Sequence, residues 1–235
     1  MKLLDLSALL KAHPYPGRGI LLGRSADNTR AVIAYFIMGR SENSRNRVFE
    51  ATEDGIRTRA YDESKMTDPS LIIYHPVRMA GRGMVVTNGD QTDTIRDCLL
   101  QGRTFNSALR TRCFEPDPPN YTPRISGLLA PDGSFKLSIL KSADGNPECN
   151  LRYFYEYDVP PAGEGRFLHT YQENADPLPS FEGEPRRVAI TAPDAKTLAG
   201  EIWSSLNEEN KVSLYVCYRD LSTERMDTLI LNKHQ

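Results

Sequence analysis

A chain of 235 residues is long enough for one substantial hydrophobic core, and a formal net charge of −2 creates no field that would draw it to nucleic acid or an anionic membrane. No apolar run approaches the roughly 18 residues a membrane-spanning helix needs. Four scattered cysteines without a CxxC pair and four dispersed histidines point to reduced thiols, and away from a disulfide framework or a metal site.

The opening MKLLDLSALLKAHPYPGRG carries an apolar patch, but Asp5 interrupts it and no small-residue cleavage site follows, so a cytoplasmic location is expected rather than secretion. GILLGR (19–24) and RAVIAYFIM (30–38) read as strands across a hairpin-like SADNT loop. RVFEAT and IRTRAY flank Glu53-Asp54-Gly55, a second turn signal. SLIIYHPV (70–77) and GRGMVVTN (81–88) read as two further strands. The following residues step at helical spacing through Ile95, Leu99, Phe105, Ala108, Leu109 and Arg112, with Gly102 dividing two short helices. RISGLLA and SFKLSIL are strands joined across Pro131-Asp132-Gly133, and NLRYFYEYDV and GRFLHTYQ are aromatic-rich strands. A helix over 194–206 carries one continuous stripe of Ala195, Leu198, Ala199, Ile202, Trp203 and Leu206, with Thr191 and Asp194 as a capping-box-like start. KVSLYVCYR and DTLILN end the chain as strands. Many strands with few, one-sidedly apolar helices predict an α+β protein: two packed sheets with helices outside, an αββα sandwich, in a single domain over 1–235. The linker candidate EPDPPNYTP (115–123) is short and sits between motifs that belong to one site.

Three polar stretches carry chemistry. GRSENSRNR puts Arg40, Arg45 and Arg47 after a strand with interleaved Ser and Asn, which suits an anion cradle and equally a solvated loop. MVVTNGDQTDTI (84–95) runs from a strand into a turn where Asn88-Gly89 permits positive φ and Asp90 or Thr92 can cap a helix starting near Thr94. Unpaired amides at such a helix start suit an anion or the edge of a heterocycle, and the same residues also make a plain capped turn. NYTPRI brings Arg124 to the start of a strand. There is no GxSxG, Walker A or GxGxxG, and Lys2 offers no nucleophile after loss of Met1. The remaining Arg, Tyr, Asn, Asp and Glu residues suit binding and proton transfer.

In order along residues 18–130, these stretches resemble the archaeal-type IMP cyclohydrolase family. MVVTNGDQTDTI is similar to its VVSNGxHTDxI segment, NYTPRISGLL to TPRIAA, GRSENSRNR to SRSxPNR and DPSLIIYH to NPYIxYN, while CFEPD stands in the place of YEKD. The resemblance implies a four-layer αββα sandwich like that of the N-terminal-nucleophile hydrolases, without self-processing. It implies ring closure of 5-formamidoimidazole-4-carboxamide ribotide (FAICAR) to inosine monophosphate with loss of water, needing no metal and no cofactor. Resemblance and chemistry together assign Arg47 to the oxyanion, Tyr74 to a donor or acid role and Glu115 to protons on the carboxamide. Arg24, Arg45, Asn88, Thr92, Asp93 and Arg124 are the expected substrate-binding residues. The expected partner is a purine ribotide, with no nucleic acid or membrane, and edge strands suit a homo-oligomer. Gln91 departs from the family's usual His, and Arg45 from its usual Pro, so a non-catalytic or differently specific ribotide-binding protein stands as the alternative.

Overall fold

The computed structural model describes residues 3–66, 68, 69 and 71–234. Lys2, and Ser70 at the start of the expected 70–77 strand, lie outside these. The first half contains α1 (Leu6–Ala12), β1 (Arg18–Arg24), β2 (Arg30–Met38), α2 (Glu42–Arg45), β3 (Arg47–Thr52), β4 (Gly55–Ala60), β5 (Val77–Ala80), β6 (Gly83–Thr87), α3 (Gln91–Leu100) and α4 (Phe105–Leu109). The second contains β7 (Arg124–Leu129), β8 (Phe135–Ala143), β9 (Asn146–Tyr157), β10 (Glu164–His169), β11 (Arg186–Ala189), α5 (Ala195–Ser205), β12 (Lys211–Asp220) and β13 (Met226–Asn232).

The strands form two antiparallel sheets, ordered β11-β10-β1-β2-β12-β13 and β3-β4-β5-β6-β7-β8-β9. Alternation decides what each face meets. Ile20, Leu22, Ile33 and Tyr35 of the first sheet interlock with Phe49, Val86, Ile125 and Leu137 of the second. The opposite face of the first sheet, through Leu21, Ala34, Phe36 and Val216, packs under Leu6 and Leu10 of α1 and Leu198 and Ile202 of α5. The outer face of the second, through Val85 and Leu140, meets Ile95, Phe105 and Leu109 of α3 and α4. Each large apolar side chain buried in these layers contributes roughly 1.5–3 kcal/mol. The expected α+β class with two sheets and few helices is therefore what the chain forms.

Several local expectations are corrected. Of the strand expected over 70–77, residues 71–76 take an irregular path before β5 begins at Val77, because Thr58 Oγ1 donates to the carbonyls of Ile72 and Tyr74 and accepts the Tyr74 amide. The N-terminal apolar patch is a helix, and the Asp5 that interrupts it is its cap, accepting from the Ser7 and Ala8 amides. A capped turn of helix, α2, sits inside the arginine-rich loop, and β11 forms by antiparallel pairing with β10, with Val188 also bridging to Leu4. Helix α3 starts at Gln91, and the Asp90 side chain makes no cap bond to it. Neither Asn88 nor Gly89 has positive φ. At α5 the cap is Asp194 alone, accepting from the Thr197 amide at 2.7 Å.

Candidate active site

Both sheets place charged residues at one shared end. Arg18 opens β1, in phase with Ile20 and Leu22, so its side chain enters the space between the sheets at the end where Ile37 of β2 pairs with it. Arg47 opens β3 in phase with Phe49 and points the same way, with no exposed surface at all. Its Nε donates to the Ser44 carbonyl at 2.8 Å, while Nη1 and Nη2 are buried with no partner. Arg18 Nε is likewise buried and unpartnered. Burial, and then the neighbouring Arg18 charge, push the Arg47 pKa below its ordinary value. Two desolvated guanidiniums with unspent donors make a strong demand for an anion or a developing negative charge.

Tyr74 and Glu115 meet these arginines. The Tyr74 and Tyr35 hydroxyls lie 2.9 Å apart. Burial holds the Tyr74 phenol above its usual pKa, against the pull of Arg47 and Arg18. It is therefore a neutral donor near pH 7. Glu115 is 3% exposed, its amide donates to the Thr122 carbonyl, and no described residue hydrogen-bonds its carboxyl. Burial raises that carboxyl to about 7, with Arg18, Arg124 and Arg47 opposing the shift and Asp117 adding to it. A carboxyl poised there can take and return a proton at neutral pH. The 115–123 segment is itself tied down: Asp117 accepts from the Thr122 amide and hydroxyl, and Thr122 Oγ1 reaches the Tyr171 hydroxyl at 2.7 Å.

The third side of the site is the start of α3. Arg124 Nη1 donates to Gln91 Oε1 at 2.7 Å and pairs with Asp90 Oδ1 at 2.8 Å, while Arg112 also reaches Asp90 Oδ1. Although burial pulls the Asp90 carboxyl up, Arg112 and Arg124 hold it below the usual range. Asp90 therefore serves the two arginines where a helix cap was expected.

The structure thus brings Arg47, Tyr74, Glu115 and Arg124 of the expected residues together. The others sit differently. Arg24 is at the far end of β1 from Arg18, about 20 Å along an extended strand, and holds the Asn28 carbonyl. Arg45 spends its guanidinium on the Gly39 carbonyl and Asn210. Asn88 knits the end of β6 to β7, accepting from the Ile125 amide at 2.8 Å and donating to the Pro123 carbonyl at 2.9 Å. Thr92 bonds Thr87 and the Gly89 carbonyl, and Asp93 pairs outward with Arg78. Arg24, Arg45, Asn88, Thr92 and Asp93 thus each hold contacts within the fold. Sequence reasoning missed Arg18, Tyr35 and Tyr171. For Arg18 a signal existed: an arginine in phase with apolar core positions of a strand, where a charge has no business without a partner.

Clefts also open elsewhere. One of about 350 Å³ lies between α1 and β10 beside His13 and His169, and one of about 520 Å³ lies beside Asn120, Lys141 and Leu178. Among the described residues no group of three or more His, Cys, Asp or Glu is placed to hold a metal ion. No helix among them is long and apolar enough to cross a membrane.

Known proteins share this chain's pattern. A family described as "IMP cyclohydrolase-like protein" matches residues 15–224. A protein of Methanopyrus kandleri called IMP cyclohydrolase is 31% identical over 183 residues, covering 72% of this chain and 89% of its own length. One of the same name from Halobacterium salinarum R1 is 31% identical over 63% of this chain and 76% of its own. Another, from Methanococcus maripaludis C7, is 31% identical over 52% of this chain and 61% of its own. The match spans the strands that carry Arg18, Arg47 and Arg124 and the loop that carries Glu115, and the chain belongs to the IMP cyclohydrolase-like family.

Proposed function

We propose that the protein is an IMP cyclohydrolase, a hydrolase-class enzyme of purine biosynthesis that closes FAICAR to inosine monophosphate. The observation that carries this reading is the buried meeting of Arg47, whose terminal donors are unspent, with Tyr74 and the near-neutral Glu115 carboxyl. In the reaction the carboxamide nitrogen attacks the formyl carbon, a C–N bond forms and the formyl oxygen becomes an alkoxide. The proton lost from the attacking nitrogen turns the alkoxide into a hydroxyl, and that hydroxyl departs as water, taking up the second proton, as the former formamide nitrogen gives up its N–H and forms the C=N bond. Arg47 stabilises the alkoxide, a contribution of about 3–4 kcal/mol for a well-aimed donor. Tyr74 donates to the same oxygen while Tyr35 donates to Tyr74. Glu115 accepts the nitrogen proton and returns it to the leaving hydroxyl. The carboxamide is a poor nucleophile, so holding it against the formyl group is worth several kcal/mol more.

Arg18 and Arg124 supply positive potential for the ribotide phosphate, Arg124 being one of the residues expected to bind substrate. We read the layers as one domain over 1–235, a four-layer αββα sandwich akin to the N-terminal-nucleophile hydrolases, acting in the cytoplasm without metal or cofactor. The free edge of β9 suits self-association into a homo-oligomer. Sedimentation at micromolar concentration showing only a 26.4 kDa species would overturn that last point.

Absorbance-monitored conversion of FAICAR by purified protein, with and without EDTA, tests the activity. Turnover unaffected by chelation is the expected result; binding of the ribotide without turnover would favour the non-catalytic alternative.

A further inference from the structure

Gln91 is the first residue of α3, and none of its surface is exposed. Its side-chain nitrogen donates to Asn88 Oδ1 at 3.1 Å and to the Ile125 carbonyl at 3.3 Å, so both amide hydrogens face acceptors. That fixes the orientation of the amide: turned over, it would set its NH₂ against the Arg124 guanidinium and its oxygen against two oxygens. Oε1 is left to accept from Arg124 Nη1 at 2.7 Å. The contact passes directly over Gly89, where a Cβ would lie 2.4 Å from Arg124 Nη1 and 2.6 Å from Gln91 Oε1. A side chain at this position would push the two side-chain ends apart and break their contact, with φ playing no part.

The second acceptor for Nη1, Asp90, has a side chain 51% exposed and is shared with Arg112, so it pairs with Arg124 without fixing its plane. Arg124 Nε and Nη2 have no hydrogen-bond partner among the described residues. One edge of the guanidinium is therefore clamped and the other is free.

We propose that Gln91 is a positioning residue: its fixed amide clamps one edge of Arg124 so that the free edge faces Glu115 and the ribotide. This rests on the proposed function for the identity of the ligand, while the clamp itself can be tested without any ligand. An amide carries no charge, so the clamp holds across the pH range in which Glu115 changes state. The groups acting on Glu115 are Arg18 from β1, Arg47 from β3, Arg124 from β7, Asp117 from its own loop and Tyr74 from the 71–76 segment. Of these, only Arg124 is held by Gln91.

The test compares wild-type protein with Gln91→Leu and Gln91→Glu in three measurements: IMP affinity by calorimetry, kcat and KM for FAICAR, and the Glu115 titration midpoint. The midpoint is read by carbon NMR of glutamate-labelled protein, with the resonance assigned by Glu115→Gln. Gln91→Leu is expected to weaken IMP binding roughly tenfold or more, the usual range for a lost hydrogen bond to a charged group. KM should rise more than kcat falls, and the Glu115 midpoint should move up as Arg124 swings away. Gln91→Glu keeps an acceptor for Arg124 and should recover part of the affinity. Wild-type affinity and an unmoved midpoint in Gln91→Leu would overturn the proposal, as would equal losses in the two variants. If Gln91→Leu does not fold, Gly89→Ala breaks the same contact and is judged by the same outcomes. Wild-type protein that neither binds IMP nor converts FAICAR would count against the proposed function, and the Glu115 midpoint would still decide the role of Gln91.

Discussion

Arg47 gives a prediction in which stability and activity move in opposite directions. In the free protein its guanidinium is fully buried, two of its three nitrogens have no partner, and Arg18 lies within reach of its charge. A base whose folded pKa is depressed opposes folding at every pH where it is charged, which here includes neutrality. Replacing buried charges with apolar side chains of similar size commonly stabilises a protein by about 1–4 kcal/mol. Arg47→Met also loses the bond to the Ser44 carbonyl, worth about 1 kcal/mol. The net expectation is a gain of up to about 3 kcal/mol. For a chain of 235 residues this raises Tm by about 2–4 °C per kcal/mol. Turnover of FAICAR should fall by about 10²–10³-fold, the usual loss when an oxyanion donor is removed. Thermal unfolding followed by calorimetry, alongside the absorbance assay, reads both quantities. A lower Tm in Arg47→Met would refute the reasoning, because it would mean that the guanidinium is compensated in the free protein and is not held in reserve for a substrate.

Other expectations follow from the same geometry. The Glu115 carboxyl is raised from 4.5 to about 7, so the folded state holds its proton more tightly than the unfolded chain. Its contribution to stability is therefore present below about pH 4.5 and declines as pH rises to 7, by up to a few kcal/mol; Glu115→Gln should flatten this slope in denaturant unfolding and remove the acid limb of the pH–rate profile near 7. Tyr74→Phe should cut kcat by about 10²-fold with IMP affinity near wild type, and an unchanged kcat would remove Tyr74 from the chemistry. Asn88→Ala breaks the bonds to the Ile125 amide and the Pro123 carbonyl and should cost about 1–3 kcal/mol of stability, seen in urea unfolding; a pure affinity loss at constant stability would show that Asn88 is a ligand-binding residue after all.

Periodicity and turn chemistry, read from the sequence, determined a large share of this protein. The 3.6-residue stripe of α5, the break at Gly102 and the Pro131-Asp132-Gly133 turn are local in cause, and all three form where the pattern puts them. Packing two sheets under helices follows from the same apolar faces. Arg47, Tyr74, Glu115 and Arg124 were also legible, through short stretches whose order along the chain resembles a known family. What the sequence could not decide was which polar side chains the fold would spend on itself. Asn88, Thr92 and Arg45 have the same chemistry as free binding groups, and only the tertiary structure engages them with β7, Thr87 and Asn210. Asp90 or Thr92 suits a cap by local rules, yet two arginines from distant segments take the Asp90 carboxylate. Tyr74 was placed on a strand by its apolar neighbours, whereas the Thr58 hydroxyl, 16 residues away in sequence, bends that segment and turns the phenol toward Tyr35. Hydrogen bonds and ion pairs across the sheets depend on which strand ends meet, and that is settled only when the two sheets pack and Arg18, Arg47 and Arg124 arrive at one end.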